Sequence, residues 1–165
     1  MYNENKPAIT DNELANAKRA CIEHRAIWMA YLLDEIRKSG GDMEKIGREA
    51  IHRCGCFQVH ANYKDRMKDP MSMLEFADIF LEDTCTFENR LVNSSEDEFH
   101  VEMHYCPLLS AWRKLGFSEE DCKLFCDIAM EGDRQFAREM GAEFTLSKKI
   151  AEGDDCCDLC LSRKR

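Results

Sequence analysis

The chain has 165 residues, 44% of them hydrophobic and 33% charged, with a formal net charge of −9. That length suits one domain burying about 68–70% of its unfolded surface, and the mixture excludes a disordered chain. The acidic balance argues against nucleic acid as a partner, no run approaches the roughly 18 apolar residues of a membrane span, and the polar first twenty residues lack a secretory apolar core, so a cytoplasmic chain with reduced thiols is expected.

From Asp11 to Lys38 the apolar residues Leu14, Ala17, Cys21, Ile27, Tyr31, Leu32 and Ile36 recur at helical spacing. Asp11 marks the start, and Gly40-Gly41 the stop. Trp28, Met29, Tyr31 and Leu32 place apolar groups on more than one side. That pattern fits either a homodimer surface or a deeply buried helix. A second helix starts near Asp42, with Met43, Ile46, Ala50 and Ile51 on one stripe that Val59 and Tyr63 extend. Gly55, between Cys54 and Cys56, weakens it locally. Pro70 reorients the chain, and a short third helix fits Ser72 to Leu81.

The period then changes. Residues 84–92 and 98–106 read as strands around the turn 93–97. In the second, Phe99, Val101, Met103 and Tyr105 point one way, and His100, Glu102, His104 and Cys106 the other. Pro107 opens a helix over 108–115 that ends at Gly116. Ser118 caps a further helix running to Met140, with Gly141 beyond it. Phe144, Leu146, Lys148 and Ile150 alternate as a strand, Gly153-Asp154-Asp155 turns, and Cys157, Leu159 and Leu161 alternate on the return. The basic end, Arg163-Lys164-Arg165, reads as a solvated tail. The expected class is α+β: a single domain over 1–165, helical over 1–83 and α+β over 84–165, its N-terminal helices packed with an antiparallel sheet and two further helices.

Three groups could carry chemistry. His100, Glu102, His104 and Cys106 share one strand face and could supply a base, an acid and a nucleophile, or ligate zinc, or simply face solvent. Cys122, Cys126 and Asp133 fall at nearly one azimuth of the expected long helix, where an inward carboxylate needs a partner. In the closing hairpin Cys157 takes the apolar phase, and Cys156, Asp158 and Cys160 the other. Cys157-x-x-Cys160 has metal or redox spacing, but a strand sends its members to opposite faces, and no second such pair completes a zinc ribbon. Any one of the ten cysteines, taken alone, reads first as a buried thiol. Dinucleotide, P-loop, zincin and nucleophile-elbow motifs are missing.

Cys106-Pro107-Leu108, Trp112, Leu115-Gly116, Cys126-Asp127, Asp133 and Gly153-Asp154-x-x-Cys157-Asp158 together resemble the L-2-amino-thiazoline-4-carboxylic acid hydrolase family, over about residues 99–162. The resemblance implies hydrolytic opening of a small cyclic amidine-like ring to an N-carbamoyl amino acid. It implies Cys106 as nucleophile or ligand, His104 as base, and Asp133 as proton carrier or orienter. Cys126 and Cys157 would line the same pocket, with Asp154 and His100 on the substrate side. Leu159 stands where the family commonly has Phe, and Cys156 and Cys160 are extra. The metal content stays open, zinc being the ion such thiols would take. The closing hairpin also resembles small 4-vinyl-reductase-like domains, which implies a non-catalytic ligand-binding or sensory module. A thiolate-rich metal site from Cys106, Cys126, Cys157 and His104 is the third reading.

Overall fold

The computed structural model describes residues 4–163. Helix α1 spans Glu13–Lys38, α2 Met43–Gln58, α3 Met73–Phe80, α4 Pro107–Lys114, α5 Glu119–Ala129 and α6 Glu131–Glu139. Strands β1 Asn89–Ser94, β2 Glu98–Met103, β3 Glu143–Lys148 and β4 Cys157–Ser162 form one antiparallel sheet in the order β1-β2-β4-β3. This is an α+β architecture.

Most helices begin where a short polar side chain satisfies free backbone N–H groups. Asp42, Ser72 and Ser118 cap α2, α3 and α5, while Asn12, one residue past the expected Asp11, caps α1. Two departures from the sequence reading matter. The expected helix from Ser118 to Met140 is broken at Met130, which ends α5 and begins α6, so Asp133 lies on a different helix from Cys122 and Cys126. The expected strand over 84–92 starts only at Asn89, because Asp83 accepts hydrogen bonds from the backbone of Cys85 and Thr86 and holds residues 83–86 as a turn.

Gly55 has a structural reason for being glycine. α2 and α6 pack so closely that a Cβ at Gly55 would stand 3.0 Å from Gly132 Cα and 3.1 Å from its carbonyl oxygen. Val59 to Tyr63 continue α2 as a π-helical turn, and Tyr63 at its end packs against Phe76 of α3 and Phe136 of α6.

Two apolar clusters result. One joins α1, α4 and α5 through Ala26, Ala30, Leu33, Trp112, Phe125 and Ile128. The other lies between α3, α6 and the sheet, around Phe76, Phe99, Met140 and Leu161. Trp28, Tyr31 and Leu32 lie outside both, 63%, 51% and 58% exposed, so α1 is not the deeply buried helix of the second sequence alternative. No helix among the described residues is long and apolar enough to cross a membrane. Arg163 is not a solvated tail either: its guanidinium donates to the carbonyls of Met140 and Glu96 at 3.1 Å each, and to that of Met71. Lys164 and Arg165 lie outside the described residues.

Candidate functional site

Between the helical layer and the inner face of the sheet lies a cavity of about 330 Å³, within the size range of small-molecule sites. Cys106, Cys126, Cys157 and Asp133 all line it. Three stretches of chain, around residue 106, over 126–133 and around residue 157, thus deliver one set of groups.

Each arrives for a local reason. β2 ends at Met103, so the strand alternation that would put Cys106 beside His104 stops before it gets there. Cys106 instead becomes the N-cap of α4, its Sγ accepting the Leu109 N–H at 3.5 Å, with Pro107 at the first helical position. Asn5 fixes this turn from the N-terminal segment. Its side chain donates to the Cys106 carbonyl and accepts the Cys106 N–H, each at 2.8 Å. Arg19, buried beneath, donates to the carbonyls of Thr86 and Cys85 and stacks over Tyr105. Cys157 is the first residue of β4, and its Sγ accepts the Ile150 N–H at 3.4 Å. Cys126 comes from the inner side of α5 and Asp133 from the first turn of α6.

Burial governs the electrostatics. It raises Asp133 from an ordinary carboxyl to about 6, against the lowering influence of its own backbone N–H, Arg134 and Arg25. Among the described residues no cation lies within ion-pair distance of Asp133. Burial likewise lifts Cys157 to about 12 and pushes Cys106 and Cys126 above the ordinary thiol value. At neutral pH the three thiols therefore keep their protons while Asp133 titrates.

The rest of the wall divides. Phe76, Phe80, Phe99, Phe136, Leu159 and Leu161 make an apolar part, and Arg25, Gln58, Asn62 and Tyr63 add polar groups. Arg25 is exposed as a whole yet reaches the wall, and it takes part in no ion pair among the described residues. Tyr63 is raised to about 12 by burial and next by the Asp133 charge. Sequence spacing could not single out Arg25 or Tyr63. Arg25 is one of several charged side chains along α1, and Tyr63, read only as extending the α2 stripe, is the last residue of a π-turn that sequence does not announce.

The remaining sequence candidates lie elsewhere. His104 pairs with Glu102 at 3.2 Å and does not line the cavity. His100 pairs with Asp158 on the outer sheet face. Asp154 accepts the Lys149 N–H at 2.7 Å and serves the turn. Cys106, Cys126 and Cys157 are not among the groups whose ligand atoms come within 4.8 Å of one another, so they do not make a ready metal site, and His104 is not there to complete one. None of the ten cysteines forms a disulfide. A second, open depression of about 630 Å³ contains Arg48 and Glu131, which already engage each other at 3.2 Å.

A family model described as L-2-amino-thiazoline-4-carboxylic acid hydrolase matches residues 19–161. No curated protein matches the chain. Among solved structures, a trafficking protein particle complex subunit 3 from Naegleria fowleri, covalently bound to palmitic acid, is similar with a TM-score of 0.54 at 13% identity, covering 87% of this chain and 95% of that one. That likeness shows a shared fold.

Proposed function

The chain belongs to the L-2-amino-thiazoline-4-carboxylic acid hydrolase family, and on that premise we propose that its cavity hydrolyses the ring of a small cyclic amidine bearing a carboxylate. The observation that carries the reading is a desolvated carboxyl, Asp133, titrating near 6 in a cavity it shares with three protonated thiols. A general base works best when its pKa lies near the working pH. Arg25, unpaired at the wall, is suited to the substrate carboxylate.

Water attacks the ring carbon between nitrogen and sulfur while Asp133 takes one of its protons. The carbon–sulfur bond breaks, and Asp133 returns that proton to the departing sulfur. The proton left on the attacking oxygen moves to the ring nitrogen. The products are an open N-carbamoyl group and a free thiol, and one water has been added. Tyr63, beside Asp133, donates to the oxygen as charge gathers on it. Cys106 acts here as a neutral wall and helix cap. As a nucleophile it would first have to lose a proton that burial holds in place.

The test is turnover of L-2-amino-thiazoline-4-carboxylate by the untagged chain, followed by release of free thiol. Turnover in the wild type that is lost in Asp133→Asn supports the reading; an inactive, folded wild type defeats it.

A second reading rests on the apolar part of the wall, which exceeds what a small polar ring needs. Phe76, Phe80, Phe99 and Leu161 suit a long acyl chain, and the similar trafficking subunit carries palmitic acid. Saturable binding of palmitate by a wild type that opens no ring would favour this non-catalytic reading.

A further inference from the structure

The outer face of the sheet holds a separate constellation. Glu98, His100 and Cys160 each offer a ligand atom, and these atoms all lie within 4.8 Å of one another. Ligands around a tetrahedral zinc ion, with bonds of roughly 2.0–2.3 Å, stand about 3.3–3.8 Å apart. The 4.8 Å span exceeds that spacing by about 1.0–1.5 Å, which the side chains would close around an ion. We propose that Glu98, His100 and Cys160 form a zinc site on the outer face of β2 and β4, with a fourth position open to water.

The backbone brings these three together by register. His100 and Cys160 are paired positions on the two central strands, and Glu98 precedes His100 by two residues, hence on the same face. Central strands are a rigid platform for ligands. The surroundings supply the outer contacts that metal-binding histidines use. His100 Nε2 pairs with Asp158 Oδ1, which leaves Nδ1 for a metal, and Asp158 in turn accepts the Ser147 hydroxyl. Asn93 donates to Glu98 Oε1 at 2.7 Å, fixing that carboxylate while its other oxygen stays available. One nitrogen, one sulfur and one oxygen donor suit zinc, where calcium and magnesium take oxygen alone. Glu98 and an ionised Cys160 together balance the charge of a divalent ion. Neither Glu98, His100 nor Cys160 lines the interior cavity, so this site is independent of the hydrolytic reading.

The untagged chain, stripped with chelator, is titrated with zinc against a chromophoric competitor, and in parallel with cobalt(II). One equivalent of zinc and a thiolate-to-cobalt absorption band are expected. Cys160→Ser abolishes the band, His100→Ala weakens zinc at least tenfold, and Asp158→Asn weakens it about 10–100-fold. The double variant Cys54→Ser/Cys56→Ser binds as the wild type does. Should Cys160→Ser fail to fold, zinc protection of Cys160 from alkylation in the wild type, read by peptide mass, gives the same answer. The proposal is overturned if the wild type takes up no zinc at micromolar concentrations. It is equally overturned if zinc leaves Cys160 open to alkylation, or if binding survives loss of His100.

Discussion

On the inner face of β2 and β4, Phe99, Met103, Cys157, Leu159 and Leu161 look onto a cavity; on the outer face, His100, Asp158 and Cys160 stand in reach of solvent. Two aspartates show what that separation does. Asp133, inside, is raised to about 6 by burial. Asp158, outside, is held below the usual carboxylate value by the Ser147 hydroxyl and His100, which together outweigh its desolvation. The same kind of side chain titrates near 6 on one side of the sheet and is held as a carboxylate on the other. Location relative to water, more than residue type, sets the chemistry each can perform.

The sharpest way to break this comparison is Asp133→Asn, which should cut ring-opening kcat/KM about 10²–10⁴-fold, the usual worth of a general base. The wild-type rate should fall as pH drops through about 6, where Asp133 gains its proton. Arg25→Ala comes next. Loss of a charge-assisted contact worth about 1.5–3 kcal/mol should lower kcat/KM by roughly 10–100-fold, mostly through KM.

The same Asp133→Asn variant should be more stable than the wild type at pH 7, by about 1–2 kcal/mol in denaturant unfolding. That figure is discounted from the full shift because the carboxyl faces a cavity rather than solid packing. The sign follows from the raised value. Between about pH 4 and 6 the folded state holds the Asp133 proton more tightly than the unfolded chain does, so stability falls as pH rises through that window. An equal or lower stability of Asp133→Asn at neutral pH would mean that the carboxylate is solvated after all.

Cys106→Ala should lower kcat/KM less than tenfold, with a loss of about 1 kcal/mol of stability from the missing cap. A loss as large as that of Asp133→Asn would instead make the thiol a nucleophile. His104→Ala, outside the cavity and paired with Glu102, should change turnover less than twofold.

Much of this was legible in the sequence. Ser72, Pro107 and Ser118 announced their helices because capping is a contact between neighbours in sequence. The alternation of Phe99, Val101 and Met103 against His100 and Glu102 named the two faces of β2, and the phase of Cys157 against Asp158 and Cys160 did the same for β4. The grouping of Cys106 with His104 failed because it extended strand geometry past Met103. The long helix over 118–140 failed because nothing in an apolar period marks the break at Met130, which lets Gly132 meet Gly55 across two helices.

Local pattern by itself therefore determined the fold class, most helix starts, and which strand residues turn away from water, since caps and side-chain periods act over a few residues. Only the tertiary structure decided that Cys106, Cys126, Cys157 and Asp133 share one cavity, that Arg25 and Tyr63 join them, and that His100 and His104 do not. Those outcomes depend on crossings between segments more than a hundred residues apart in places. They depend as well on desolvation, which no single stretch of sequence can express.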